Sequence, residues 1–222
     1  MVLIQNLVNR TLSTFAKFGL NGDTDSAEIT AIVNRLLMST ADIVINKNGL
    51  PYSVRKQGAG LANLFAALET KAYITTYDAD GKAMDTSKLE LGDDPEKKGV
   101  YTMSFTVENF GDKKLSYELG YYVMTEGVSD TKTSGGLTTV TEEAYILEGA
   151  TLSIDEVSGG TLKGEKLTVA AGESAKVTVT LTLSDEDKAY LDKSFENGMY
   201  VEGYITLTVN RSKATVIARR TE

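Results

Sequence analysis

Cysteine, histidine and tryptophan are absent from this 222-residue chain, and proline occurs only twice. Without cysteine there are no disulfides, thiolate nucleophiles or thiolate metal sites. Without histidine the commonest general base and metal ligand is missing, and a Ser-His-Asp arrangement cannot be completed from residues of this chain. No apolar run approaches the roughly 18 residues of a membrane-spanning helix, so no membrane span is expected. The apolar opening, Met1 to Val8, is interrupted by Gln5 and Asn6 and has no basic stretch ahead of it, so it does not read as a signal peptide. Positive charge is also in short supply, with 23 Lys and Arg against 31 Asp and Glu and a net charge of -8. That balance opposes a nucleic-acid partner, which would be gripped by clustered cations along its phosphates. What remains is an ordinary globular composition, 41% hydrophobic and 24% charged, long enough for one large domain or two modest ones.

The periodicity changes along the chain. Ile4, Val8, Leu12, Phe15 and Phe18 recur at helical spacing up to Gly19. A second helix is announced by Asp25-Ser-Ala-Glu28, an N-terminal capping pattern, followed by the stripe Ile29, Ile32, Val33, Leu36 and Leu37. Gln57-Gly-Ala-Gly60 then leads into Leu61 to Leu68, expected as a third helix. Beyond Glu69 the period becomes two. Tyr101, Met103, Phe105 and Val107 alternate with polar residues, and Tyr117, Leu119, Tyr121 and Val123 do the same after a polar turn at Asn109 to Lys114, which reads as a hairpin. Alternating runs follow at Ala144 to Ile154, Lys166 to Val169, Ala175 to Leu183 and Tyr200 to Val209. The expected fold class is α+β: a short helical segment over residues 1–70, an antiparallel β-sandwich over 71–210 and a polar basic tail over 211–222. Charge divides the same way, +2 through Leu68 and -10 after it.

The candidate sites have plain readings. Gly58-Ala-Gly60 lacks the third glycine of a dinucleotide-binding turn, Asn63 standing in its place, so a tight turn that lets a helix pack closely is expected. Asp78, Asp80 and Asp85 around Gly81 supply carboxylates but neither a third early ligand nor a closing glutamate, so an Asp-Gly turn is preferred to a calcium loop. Glu142-Glu143 and Asp185-Glu186-Asp187 read as solvated acids on turns, and the tyrosines as core and cross-strand neighbours. No cofactor and no metal site are expected.

Several segments resemble a known family, the subtilisin-like serine peptidases, and within it the large cell-envelope members that carry a fibronectin-type-III-like domain behind the catalytic one. Leu36-Leu-Met-Ser-Thr-Ala41, Val54-Arg-Lys-Gln-Gly-Ala-Gly-Leu61 and Ala66-Ala-Leu68 look like the end of a peptidase domain. Phe105-Thr-Val-Glu-Asn109, Tyr117-Glu-Leu-Gly-Tyr121, Thr125-Glu-Gly127 and Asn197-Gly-Met-Tyr-Val-Glu-Gly-Tyr204 are similar to the accessory sandwich. The resemblance singles out Thr40, Ala41, Gly58, Gly60, Asn109, Glu126, Asn197, Gly198, Tyr200, Glu202 and Gly203 as structural motif residues. It implies that the nucleophilic serine, in a Gly-Thr-Ser-Met segment, and the catalytic Asp and His lie upstream of Met1, so no residue here inherits a catalytic role. From Thr208 onward the chain is basic and polar, where the family continues with a Pro-containing strand and an aromatic-rich segment.

The resemblance implies a C-terminal part of a secreted or cell-surface endopeptidase, not an enzyme by itself, whose sandwich is a structural and substrate-positioning module. Its implied partners are the remainder of a peptidase domain, packed on residues 1–68, and in the full protein a protein or peptide substrate. The isolated chain is expected to self-associate through its helices. The alternative is a non-catalytic adhesin-like or carbohydrate-binding sandwich, which leaves the helices without a purpose. An acid-base enzyme using carboxylates alone finds no pair marked out by spacing.

Overall fold

The structure is a computed structural model that describes residues 26–129, 131–193, 195, 198–209 and 212–219, with Ser26 and 212–219 described by backbone only. The first stripe, Ile4 to Phe18, and the cap residue Asp25 lie outside the described residues. The second stripe forms α1 (Ser26–Ser39). Its Ile32 and Leu36 are buried against Tyr73, with Ile29, Val33 and Phe110 around them. Part of the apolar face assigned to an outside partner is thus covered by this chain's own sheet. The helix ends where the Thr40 hydroxyl donates back to the Leu36 carbonyl at 2.8 Å. Ser39 then joins it to the sandwich: its hydroxyl accepts from the Ile74 amide at 2.9 Å and lies 3.0 Å from the Ser87 hydroxyl.

Residues 41–61 cross the sandwich without forming a regular strand. They contain two isolated bridges, Asp42 with Leu61 and Ile45 with Pro51, and a single helical turn, α2 (Val54–Gln57). The helix expected from Leu61 is α3 (Leu64–Glu69), which starts later because the Asn63 side chain accepts the Ala66 amide at 2.9 Å and caps it. The close approach at Gly60 is likewise to backbone rather than to a helix. A Cβ there would stand 2.2 Å from the Asp42 carbonyl oxygen, at a φ of +116° that favours glycine.

The strands are β1 (Ala72–Thr75), β2 (Lys88–Glu90), β3 (Val100–Asn109), β4 (Leu115–Val128), β5 (Val140–Ile146), β6 (Thr151–Ser158), β7 (Thr161–Lys163), β8 (Lys166–Val169), β9 (Ser174–Thr182), β10 (Glu202–Val209) and β11 (Ser212–Arg219), with α4 (Asp185–Lys193) before β10. Sheet I has the order β1-β3-β9-β6, and sheet II the order β2-β11-β10-β4-β8-β7 with β5 also on β4. Phe105, Val107, Val177 and Val179 of sheet I meet Leu167, Val169, Ile205 and Leu207 of sheet II in one core. Each such side chain contributes about 1.5–3 kcal/mol by leaving water. The α+β class and the expected β-sandwich are therefore present.

Four details depart from the expectations. β3 and β4 are not a hairpin, because β3 pairs with β1 and β9 while β4 pairs with β10, β8 and β5, so the turn between them crosses from one sheet to the other. Alternation is the same for strands facing each other across a core as for strands side by side, so it could not tell the two apart. The run Ala144 to Ile154 is broken at 147–150, its ends belonging to β5 in sheet II and β6 in sheet I. Asp185-Glu-Asp187 opens helix α4 rather than a turn; Asp185 and Glu186 are exposed as expected, but Asp187 is buried, taking the Ser184 amide and hydroxyl at 3.1 and 2.7 Å. Last, residues 212–219 of the expected tail are strand β11, paired antiparallel with β10 from Glu202–Arg219 to Val209–Ser212 and parallel with β2. The β-branched run Thr215-Val-Ile217 explains the preference for a strand.

Candidate functional site

The side chains of β10 alternate. Ile205 and Leu207 enter the core between the sheets, while Glu202 and Tyr204 lie on the other face of sheet II. On β4 the same alternation puts Met124 and Glu126 beside them, with Glu202 and Met124 in register. Residues 41–61 cover this outer face. Ile43 and Val54, with Met38 and Ala59 at the edge, pack on Met124, Ala144, Tyr204 and Ile146.

One basic residue occupies the centre of the contact. The Arg55 Nη2 lies 2.5 Å from Glu126 Oε1, and its Nε lies 3.6 Å from Glu202 Oε2. The backbone amide of the same residue donates to Glu202 Oε2 at 3.3 Å. The guanidinium also sits over the Tyr200 ring, 4.4 Å from its centroid, an arrangement that favours a cation. Glu202 has a side-chain exposure of 0%, against 22% for Arg55 and 24% for Glu126. It substitutes for a local cap on α2: Ser53 precedes the turn, yet its side chain makes no capping bond, and its hydroxyl is buried without a hydrogen-bond partner. Glu202 Oε1 has none either. The Arg55–Glu202 contact at 3.6 Å is an ion pair rather than a hydrogen bond. Such a buried pair adds little net stability, but removing the cation leaves a buried charge behind, at a cost of about 3–5 kcal/mol.

Neighbouring residues strengthen the junction. The Lys56 ammonium donates to the carbonyls of Thr141 at 3.1 Å and Glu142 at 2.8 Å. The Tyr204 hydroxyl donates to the Gly58 carbonyl at 2.8 Å, and burial, with the Glu202 charge adding to it, raises this phenol well above its ordinary pKa.

Of the residues singled out from the sequence, Gly58, Glu126, Tyr200 and Glu202 meet at this junction, and Gly203 lies in β10 between Glu202 and Tyr204. A Cβ on Gly203 would stand 2.0 Å from the Tyr122 carbonyl oxygen. Thr40 and Ala41 are buried at the end of α1, Gly60 closes the turn against Asp42, and Gly198 takes a φ of +77° ahead of Tyr200. Asn109 lies apart, at the crossing from β3 to β4. Its Nδ2 is within hydrogen-bond reach of the carbonyls of Lys113, Val169 and Ala170, and its Oδ1 accepts the Gly111 amide. Asn197 lies outside the described residues. Sequence reading missed Arg55, Lys56 and Tyr204 as junction residues. The available signal was Glu202, a single acid in the strand Val201-Glu-Gly-Tyr-Ile205.

The arrangement anchors one segment to another and brings no nucleophile and base together. In the other acidic loop, Asp78 Oδ1 accepts the amides of Asp80 and Lys82, which accounts for a tight turn. Among the described residues no group of three or more acids is placed to hold a metal ion.

Residues 89–217 match the sequence family described as Fn3-like domain. The chain is 28% identical over 182 residues to the PI-type proteinase of Lactococcus lactis subsp. cremoris, and equally to the PII-type proteinase of Lacticaseibacillus paracasei. In each case the match takes in 80% of this chain but spans only 8% of the relative's length. A stretch that long extends upstream of residue 89 into the helical segment. Among solved structures, the FixG-related protein of Vibrio parahaemolyticus aligns at a TM-score of 0.36 and 11% identity, over 69% of this chain and 97% of that one. The secreted serine protease VesC of Vibrio cholerae aligns at 0.29 and 15%, over 59% and 21%.

Proposed function

We propose, from the premise that the chain belongs to the Fn3-like domain family, that it is the accessory part of a secreted or cell-surface proteinase of the subtilisin-like type. In this reading the sandwich supports and positions protein substrate, the helical segment joins it to the catalytic domain, and the triad residues are upstream. The observation that carries the reading is the similarity to proteinases that continues from the sandwich into the helical segment. A free-standing binding sandwich gives no reason for that continuation. A further feature supports it. Leu61 and Phe65 of the helical segment are 68% and 74% exposed, an apolar outward face suited to packing on the remainder of a peptidase domain. Among the described residues no helix is long and apolar enough to cross a membrane.

Two measurements test the proposal. The purified chain should neither cleave casein nor react with a fluorophosphonate probe, because acyl transfer needs a nucleophile with a base in reach. The coding sequence directly upstream of Met1 should read, in frame, through a Gly-Thr-Ser-Met segment. Labelling of a single serine in the isolated chain, or an upstream sequence without that segment, would overturn it.

A further inference from the structure

We propose that residues 41–61 form a strap that opens as a unit while the sandwich stays folded, and that Arg55 is its latch. The inference goes beyond the accessory role and does not depend on it.

The strap is one piece. The Gln57 side chain accepts the Val44 amide at 2.7 Å and donates to the carbonyls of Val44 at 3.2 Å and Tyr52 at 2.7 Å, while Asp42 and Leu61 exchange backbone hydrogen bonds at 2.9 and 2.8 Å. It is tethered at both ends, through Ser39 to Ile74 and Ser87 on one side and by the start of β1 on the other. Its apolar contacts form a cluster separate from the core between the sheets, to which no described residue before Ala72 belongs. Lifting the strap therefore leaves that core intact and uncovers Met124 and Tyr204.

The attachments differ in kind. Tyr204 to Gly58 and Lys56 to β5 are hydrogen bonds whose groups water can satisfy once the strap lifts. Among the described residues Arg55 alone supplies a cation to Glu202, which is fully covered while the strap is closed. With Arg55 removed, the closed strap holds an uncompensated carboxylate, and opening is the way to hydrate it. Replacing both charges by apolar side chains removes that drive.

Hydrogen exchange followed by mass spectrometry on the full chain tests this. Arg55→Ala should speed exchange of amides within 43–61 by roughly tenfold or more, with β3 and β9 unchanged. The double variant Arg55→Met with Glu202→Leu should return the strap close to its parent rate. Protection of β3 and β9 also reports that each variant is folded. The proposal is overturned if Arg55→Ala leaves 43–61 unchanged, if it speeds the strap and the sheet strands alike, or if the double variant exchanges as fast as Arg55→Ala.

Discussion

Asn109 uses both polar ends of its side chain, and Ala at that position would leave the carbonyls of Val169 and Ala170 and the Gly111 amide short of a partner. Asn109→Ala is expected to lower unfolding stability by about 1–3 kcal/mol, read from the denaturant midpoint. An unchanged midpoint would mean that the crossing between sheets does not need the bond. Buried phenols provide a second prediction at this scale. Burial pushes Tyr73 up to about 12, with the Glu108 charge adding to it, and burial also raises Tyr117 and Tyr204. A raised folded-state pKa for an acid means that the fold favours the neutral form. The contribution of these groups is complete below the unfolded-state pKa of about 10 and declines as pH rises toward the folded values. Stability should thus fall above pH 10, by up to about 1.4 kcal/mol per pH unit for each of the three. Absorbance near 295 nm should show their ionisation together with unfolding. Free titration of all eleven tyrosines near pH 10 in a folded chain would contradict this.

At the scale of elements, periodicity identified α1 and the major strands because each buries one face, and a buried face leaves its period in the sequence. It gave no pairing partners. The alternation of Tyr101 to Val107 and Tyr117 to Val123 fitted neighbours in one sheet, and the structure puts them in two. Helix α4 was illegible for a related reason: it buries only Asp187 and Leu191, too little for an apolar stripe, and its signal was the Ser184-x-x-Asp187 cap. Strand β11 was hidden by its charged ends, Lys213 and Arg219, although its centre is β-branched. That strand joins β10 to β2, so a chain ending at Val209 loses a pairing on each. We expect this truncation to lower the thermal midpoint by several degrees, since a loss of about 1 kcal/mol shifts a domain this large by roughly 2–4 °C. An equal midpoint would show that β11 contributes nothing to the fold.

At the scale of the molecule, the change from helix to strand near residue 70 was legible as a change of period, whereas the contact between the two parts was not. Glu202 and Arg55 are 147 positions apart, and nothing local in either segment announces the other. The proposed joint to a catalytic domain leaves Leu61 and Phe65 outward in the isolated chain. Weak self-association through that face is expected in sedimentation velocity at high concentration, and Leu61→Ser with Phe65→Ser should reduce it. Association unaffected by the pair would move the interface elsewhere. The proposed function makes this chain the accessory part of a larger proteinase. It is tested most directly in surface extracts of the source cells, treated with a fluorophosphonate probe and blotted with an antibody against this chain. One probe-labelled, antibody-reactive polypeptide far larger than 23.9 kDa is expected. An antibody-reactive species of the chain's own size, with no labelled larger form, would contradict it.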